Sequence, residues 1–313
     1  MMKEMYLNDL DRRRSRTGCL VLLGVLVVAL LIALPLWWRR RGDDAPPDAR
    51  PDAVPAVTET DDAAPPRRTG RERPAPAADD RGREWLEEAR AAQSAEQYLR
   101  ARELGWQILD ESNDPDAIEA AEQLLGEVHI ELVMTPRPMP EKVDYTIQSG
   151  DTLGGLARRF GTTVELIKRG NRLTGPMIRV GDRLRILQAD FSMEVSKSRN
   201  DLVLKINDRF FKRYRVGTGE YERTPEGDFK ITERIAQPTW WRQDGRAIPY
   251  GTTNNVLGTH WLSIDVPGYG LHGTWEPESI GYQSSAGCVR LLNEDIEELY
   301  TLVPVGVPVT ITE

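Results

Sequence analysis

Two residue types in the last part of the chain could act together as a nucleophile and its base. Cys288 stands in Ser285-Ala286-Gly287-Cys288-Val289-Arg290, and His272, in Gly270-Leu271-His272-Gly273-Thr274, precedes it by 16 residues. A thiol needs a nearby base to become a strong nucleophile, and His272 and His260 are the two histidines of this region. The chain has 2 cysteines, and Cys19 lies in an apolar run near the N-terminus, so Cys288 has no disulfide partner of its own region. Gly287 lets the backbone turn so that neighbouring N–H groups can face a developing oxyanion. Three readings stay open on these residues alone. They are a catalytic Cys/His pair, a buried structural cysteine, and a zinc site of His260, His272 and Cys288 that lacks tight ligand spacing.

The segments ahead of these residues are of β type. Leu202-Val203-Leu204-Lys205-Ile206, Tyr214-Arg215-Val216-Gly217-Thr218-Gly219 and Thr224-Pro225-Glu226-Gly227-Asp228-Phe229-Lys230-Ile231 are short runs separated by Gly, Pro and Asn turns. They predict a compact, mainly-β domain over 191–313.

With those residues in place, His-Gly-Thr, Ser279-Ile280-Gly281 and Ser-x-Gly-Cys-Val-Arg together resemble the signature of the YkuD-type L,D-transpeptidases. Pro238-Thr239-Trp240-Trp241 and Leu257-Gly258 fit the same family. The resemblance implies that Cys288 is the acylated nucleophile and His272 the base. It also implies that the Gly273 carbonyl orients the imidazole, and that the N–H groups of Gly287 and Cys288 are the oxyanion donors. By the same resemblance Arg290 shapes the substrate pocket, Ser285 holds the loop, and Trp240, Trp241 and Tyr269 line a stem-peptide cleft. Many members have histidine immediately before the Gly-Cys pair; here it is Ala286. No cofactor and no metal are expected.

Residues 143–187 read as a second module. Val143, Tyr145 and Ile147 alternate as a strand, Ser149-Gly150-Asp151-Thr152-Leu153 turns into a helix, and Thr162 with Glu165 forms a capping box for a second helix. Ile178-Arg179-Val180-Gly181-Asp182-Arg183-Leu184-Arg185-Ile186 closes as a strand around a turn. The whole resembles a LysM domain, a βααβ module whose family binds N-acetylglucosamine-containing glycans such as peptidoglycan. The resemblance places glycan against Gly150, Asp151, Thr152 and Leu153, and against the loop that starts at Asn171. Residues 143–188 hold eight basic and four acidic side chains, which would favour an anionic wall polymer.

Upstream, 17–38 is a 22-residue run without a charge, flanked by arginines and ending in Trp37 and Trp38. At 1.5 Å per residue it would span a hydrocarbon core of about 30 Å, and it reads as one uncleaved transmembrane helix. Residues 43–80 contain 8 prolines and no aromatics, the composition of a disordered tether. Residues 83–134 read as an antiparallel helical hairpin and a candidate surface for a protein partner. Asp114-Pro115 is a helix start there, as is Ser94 with Gln97, and His129 takes a structural role. Thr135-Pro136-Arg137-Pro138-Met139-Pro140 reads as a second hinge.

The formal net charge of −8, from 41 basic and 49 acidic residues, argues against nucleic acid as partner. The expected architecture is therefore multi-domain: cytoplasmic residues 1–16, a membrane helix, a tether, a helical hairpin, a LysM module and a YkuD-type domain. A wall-glycan module beside a wall-peptide enzyme implies a location outside the cytoplasmic membrane. The reaction the resemblance implies is a 3–3 peptidoglycan cross-link through a Cys288 thioester with the third stem residue. Water or a protein amine as acceptor would give an L,D-carboxypeptidase or protein attachment instead. A non-catalytic peptidoglycan-binding scaffold is the alternative from another class.

Overall fold

A computed structural model describes residues 80–313 apart from Gln243. The expected segments 1–16 and 17–38, and the tether as far as residue 79, lie outside the described residues. Among the described residues no helix is long and apolar enough to cross a membrane.

The segment expected as a hairpin is three helices: α1 (Asp80–Ser94), α2 (Tyr98–Glu111) and α3 (Pro115–Met134). Leu86, Ala89 and Ala92 give α1 its own buried stripe, which explains the third helix. Ser94 closes α1, and Gln97 at the head of α2 makes no side-chain cap bond, so the Ser94/Gln97 capping box does not form. The Asp114 carboxylate does cap α3, accepting the Asp116 N–H at 3.0 Å, with Pro115 in the first turn. Gly105 lets α2 and α3 close up: a Cβ there would lie 2.7 Å from Leu125 Cγ.

The next module is β1 (Lys142–Thr146), α4 (Leu153–Phe160), α5 (Val164–Gly170) and β2 (Arg183–Leu187), with β1 and β2 antiparallel. Thr152 caps α4, and Thr163 rather than Thr162 caps α5, accepting the Leu166 N–H at 2.9 Å.

The remainder is an eight-stranded mixed sheet. Its strands, in spatial order, are β13 (Val289–Leu291), β11 (Gly270–Gly273), β10 (His260–Ile264), β7 (Gly227–Ala236), β14 (Pro308–Thr312), β3 (Phe191–Ser196), β4 (Asp201–Ile206) and β5 (Arg209–Arg215). Helix α6 (Asn293–Leu302) follows β13. Two small pairs flank the sheet, β6 (Thr218–Gly219) with β12 (Gln283–Ser285), and β8 (Trp240–Trp241) with β9 (Ala247–Ile248).

One apolar core runs through all three parts, including Leu104, Leu125 and Leu132 of the helices, Leu166 and Leu187 of the βααβ module, and Phe211, Leu262 and Leu291 of the sheet. The expected hinge at 135–140 is accordingly pinned. Met139 is buried, the Lys142 ammonium donates to the carbonyls of Leu132 and Thr135, and Arg102 pairs with Glu141 at 3.0 Å. His129 is fully buried, its Nδ1–H donating to the Phe211 carbonyl at 2.8 Å and its ring stacked on Phe211. It joins α3 to the sheet.

Candidate active site

The ends of β11 and β13 bring His272 and Cys288 to one place. The two strands are parallel, with Leu271 opposite Val289 and His272 opposite Arg290, so Cys288 falls beside Gly270. Pairing of β10 with β11 sets Trp261 opposite His272, and the two rings stack with centroids 5.6 Å apart. His272 is buried and its Nδ1 lies 2.6 Å from the Gly273 carbonyl. A carbonyl can only accept, so the proton sits on Nδ1 and Nε2 keeps a free lone pair.

Burial dominates the electrostatics of the pair. It pulls His272 down to about 4, against the opposing hydrogen bond to Gly273 and with Arg290 adding to the depression. It pushes the Cys288 thiol upward, while the Gly270 N–H and Arg290 work the other way. At neutral pH the resting pair is therefore thiol and imidazole, not thiolate and imidazolium. The Cys288 Sγ–H is 3.7 Å from the Gly268 carbonyl.

Ser285 ties the loop that carries Cys288. Its buried Oγ donates to the Cys288 carbonyl at 2.7 Å and accepts the Gly287 N–H at 3.0 Å. The second bond corrects the expectation for Gly287: that N–H is already engaged inside the loop and is not a free oxyanion donor. The Cys288 N–H has no partner among the described residues. Gly287 itself has φ +135, and a Cβ there would lie 2.7 Å from Tyr269 Cε1, so glycine is required for the turn. Arg290 is mostly buried; its Nη1 reaches Glu276 at 3.3 Å and its buried Nε lacks a partner.

Of the other expected cleft residues, Tyr269 abuts the loop, whereas Trp240 and Trp241 sit on the β8–β9 hairpin. Trp241 is 71% exposed, and no ring contact among the described residues links either tryptophan to His272. Ala286 is exposed and adds no group to the buried pair. The three-residue zinc arrangement does not form: His260 packs on Tyr300 with centroids 4.4 Å apart, and its neighbour Trp261 is the residue that meets His272. Among the described residues, the one close group of metal-type ligands is the exposed set Glu222, Glu226 and Glu313. Lys197 already pairs with two of them.

Sequence reasoning missed Trp261 and Asn293. Asn293 Oδ1 accepts the Thr259 N–H at 3.0 Å and would lie 2.2 Å from a Cβ on Gly273, so it buttresses the carbonyl that orients His272. Neither residue lies in a motif. The alternation of β10 could have flagged Trp261, but only the strand register identifies its partner.

In the βααβ module, Gly150 adopts φ +91, and Asp151 accepts from the Gln148 N–H and the Tyr145 hydroxyl. Thr152 caps α4, and Leu153 is buried in the module core. The side chain of Asn171 makes three hydrogen bonds, to Ile167 and to both backbone groups of Arg185. These residues shape loops. A groove of about 300 Å³ opens beside Asn171, lined also by Ile147, Leu173, Met177 and Ile178, and the residues 150–153 do not line it.

Residues 190–311 match the L,D-transpeptidase catalytic domain (YkuD) family, and residues 145–187 match the LysM domain family. The YkuD protein of Bacillus subtilis is 30% identical over 174 residues, covering 53% of this chain and 97% of that protein. The YkuD protein of Bacillus licheniformis is 32% identical over 176 residues, with 54% and 98% covered. Among solved structures, an L,D-transpeptidase from Mycobacterium smegmatis is 19% identical, with a TM-score of 0.35 over 43% of this chain and 65% of that one.

Proposed function

The chain belongs to the YkuD family of L,D-transpeptidases and is a cell-wall enzyme of that type, and from this premise we propose that Cys288 and His272 carry its chemistry. The observation that carries the proposal is the tautomer lock at Gly273, which leaves Nε2 of a buried imidazole as a base on the strand next to the thiol. Nε2 takes the thiol proton as sulfur attacks the carbonyl carbon of the third stem-peptide residue, typically meso-diaminopimelate. The tetrahedral oxyanion forms against the Cys288 N–H. Its collapse breaks the bond to the terminal D-alanine, whose amine leaves with the proton returned by His272, and a thioester remains. An acceptor amine from a second stem gives up a proton to Nε2, attacks the thioester and expels the thiolate, which takes that proton back from His272, forming the 3–3 cross-link and restoring the neutral pair. Because the resting pair is neutral, proton transfer and attack are coupled, and charge develops only once substrate covers the site.

The LysM module holds the glycan while the catalytic domain acts on its peptides. Residues 17–38 anchor the enzyme as a single membrane helix, with 1–16 in the cytoplasm and the catalytic domain outside. The uncharged run with arginines on both sides supports the anchor, and a wall substrate supports the orientation. Intact-mass analysis after mixing with tetrapeptide stems tests the chemistry. The wild type should gain a tripeptide acyl group and Cys288→Ala should gain nothing. Acylation of Cys288→Ala would sink the assignment.

A further inference from the structure

Beside the glycan groove lies a second cleft, of about 320 Å³, between the βααβ module and the catalytic domain. One wall is the end of α5 and the turn after it, carrying Lys168, Arg169 and Arg172; the other is β10 and α6, carrying His260, Glu297 and Tyr300. Leu173 lines both the cleft and the groove, so the two adjoin. The walls keep their spacing. Thr163 Oγ1 donates to the Thr301 carbonyl, and the Arg234 guanidinium donates to the Tyr300 carbonyl and to Glu165, the latter at 3.1 Å.

The three cations make no ion pair. Among the described residues no ion pair includes Lys168, Arg169 or Arg172, and Glu165, the nearest acid on their own helix, is taken by Arg234. The one side-chain bond recorded for Arg169 is a weak contact to Met134 Sδ at 3.8 Å. Arg172 is held at φ 53, a left-handed conformation that favours Gly or Asn. Lys168 and Arg169 stand in the last turn of α5, where positive charge suits the helix dipole, and Arg172 is the left-handed residue of the turn that closes it. The charged heads of all three nevertheless share the cleft without an ion pair and so present positive charge to an anion. Glu297 on the facing wall also lacks an ion pair among the described residues, so an ammonium has a place there.

We propose that this cleft binds the carboxylates of a stem peptide projecting from the glycan strand that occupies the adjoining groove. The inference rests on the reading of the βααβ module as a glycan binder. His260 in this cleft neighbours Trp261, which stacks on the catalytic imidazole, and successive strand residues face opposite sides of the sheet. The peptide held here is therefore not the one being acylated. It registers the strand, so that a different stem reaches Cys288.

The test uses the full chain and two oligosaccharide probes of equal length, one bearing tetrapeptide stems and the other a peptide-free chito-oligosaccharide, with affinity measured by calorimetry. Arg169→Glu combined with Arg172→Glu should weaken binding of the stem-bearing probe about tenfold, as expected when two exposed ion pairs vanish, and leave the peptide-free probe unchanged. Arg172→Gln, which removes one charge and keeps a polar side chain, should give a smaller loss of the same kind, and circular dichroism checks both folds. Unchanged affinity for the stem-bearing probe, or an equal loss on both probes, would overturn the proposal. A wild type that fails to hold the peptide-free probe would instead remove the glycan reading. A charge-dependent grip on the stem-bearing probe would in that event still support the cleft.

Discussion

The neutral resting pair makes a quantitative claim about acid. A base must be unprotonated to accept the thiol proton, so acylation falls as pH drops through the His272 value, placed at about 4 by burial. At pH 5.5 such a base stays roughly 97% competent, whereas an imidazole at the ordinary ~6.5 would be about 9% competent, a tenfold difference. The perturbation is Trp261→Ala, which removes the ring stacked on His272 and admits water to the imidazole. Its acid limb should move up toward 6.5, cutting the rate at pH 5.5 to roughly a tenth of its neutral plateau. On the alkaline side the raised thiol keeps the plateau free of a titration near neutrality. The assay is the rate of adduct formation with a carbapenem, which acylates this family, followed by intact mass between pH 4 and 9, with circular dichroism at each pH. A wild-type limb near 6.5, or a limb that does not move in Trp261→Ala, would refute the argument that desolvation sets the base.

Ser285→Ala removes two loop bonds of about 1 kcal/mol each, so acylation should slow roughly tenfold to thirtyfold with the fold intact; an unchanged rate would mean the loop is held elsewhere. Buried His129 is held down at about 4 against an unfolded value near 6.5, so the unfolded chain binds the extra proton and stability falls as pH drops from 6.5 toward 4. That loss amounts to about 3 kcal/mol in the wild type, and urea titrations at pH 7.5 and 4.5 should show it shrinking in His129→Leu; identical slopes would contradict it. Deleting residues 143–187 strips Leu166 and Leu187 from the shared core, so the melting temperature and turnover of soluble tetrapeptides should fall together with turnover of sacculi. A loss confined to sacculi would show that the catalytic domain folds without the module.

The LysM module and the catalytic domain are welded rather than strung together. Their contacts include the Thr163–Thr301 hydrogen bond and a common apolar core that also takes in α2 and α3. A glycan strand in the module's groove would therefore meet the catalytic domain at a set angle. Orientation on a glycan strand would then be a property of this welded unit.

What the residues alone determined is local. The Asp114-Pro115 start of α3, the turn glycine before Cys288 and the alternating short strands follow from backbone preferences and short-range hydrogen bonds, which a linear pattern records directly. The motif residues likewise named His272 and Cys288, because the chemistry of a base and a thiol belongs to the side chains themselves. Tertiary structure decided the rest. The third helix, the stiff segment at 135–140, Trp261 over His272, Asn293 behind Gly273, the engaged Gly287 N–H and the cationic cleft all join residues through packing, strand register or domain contact. The neutral state of the His272–Cys288 pair belongs with them. A histidine's sequence neighbours say nothing of how much water it loses, and desolvation by residues brought from distant strands is what moves its proton affinity.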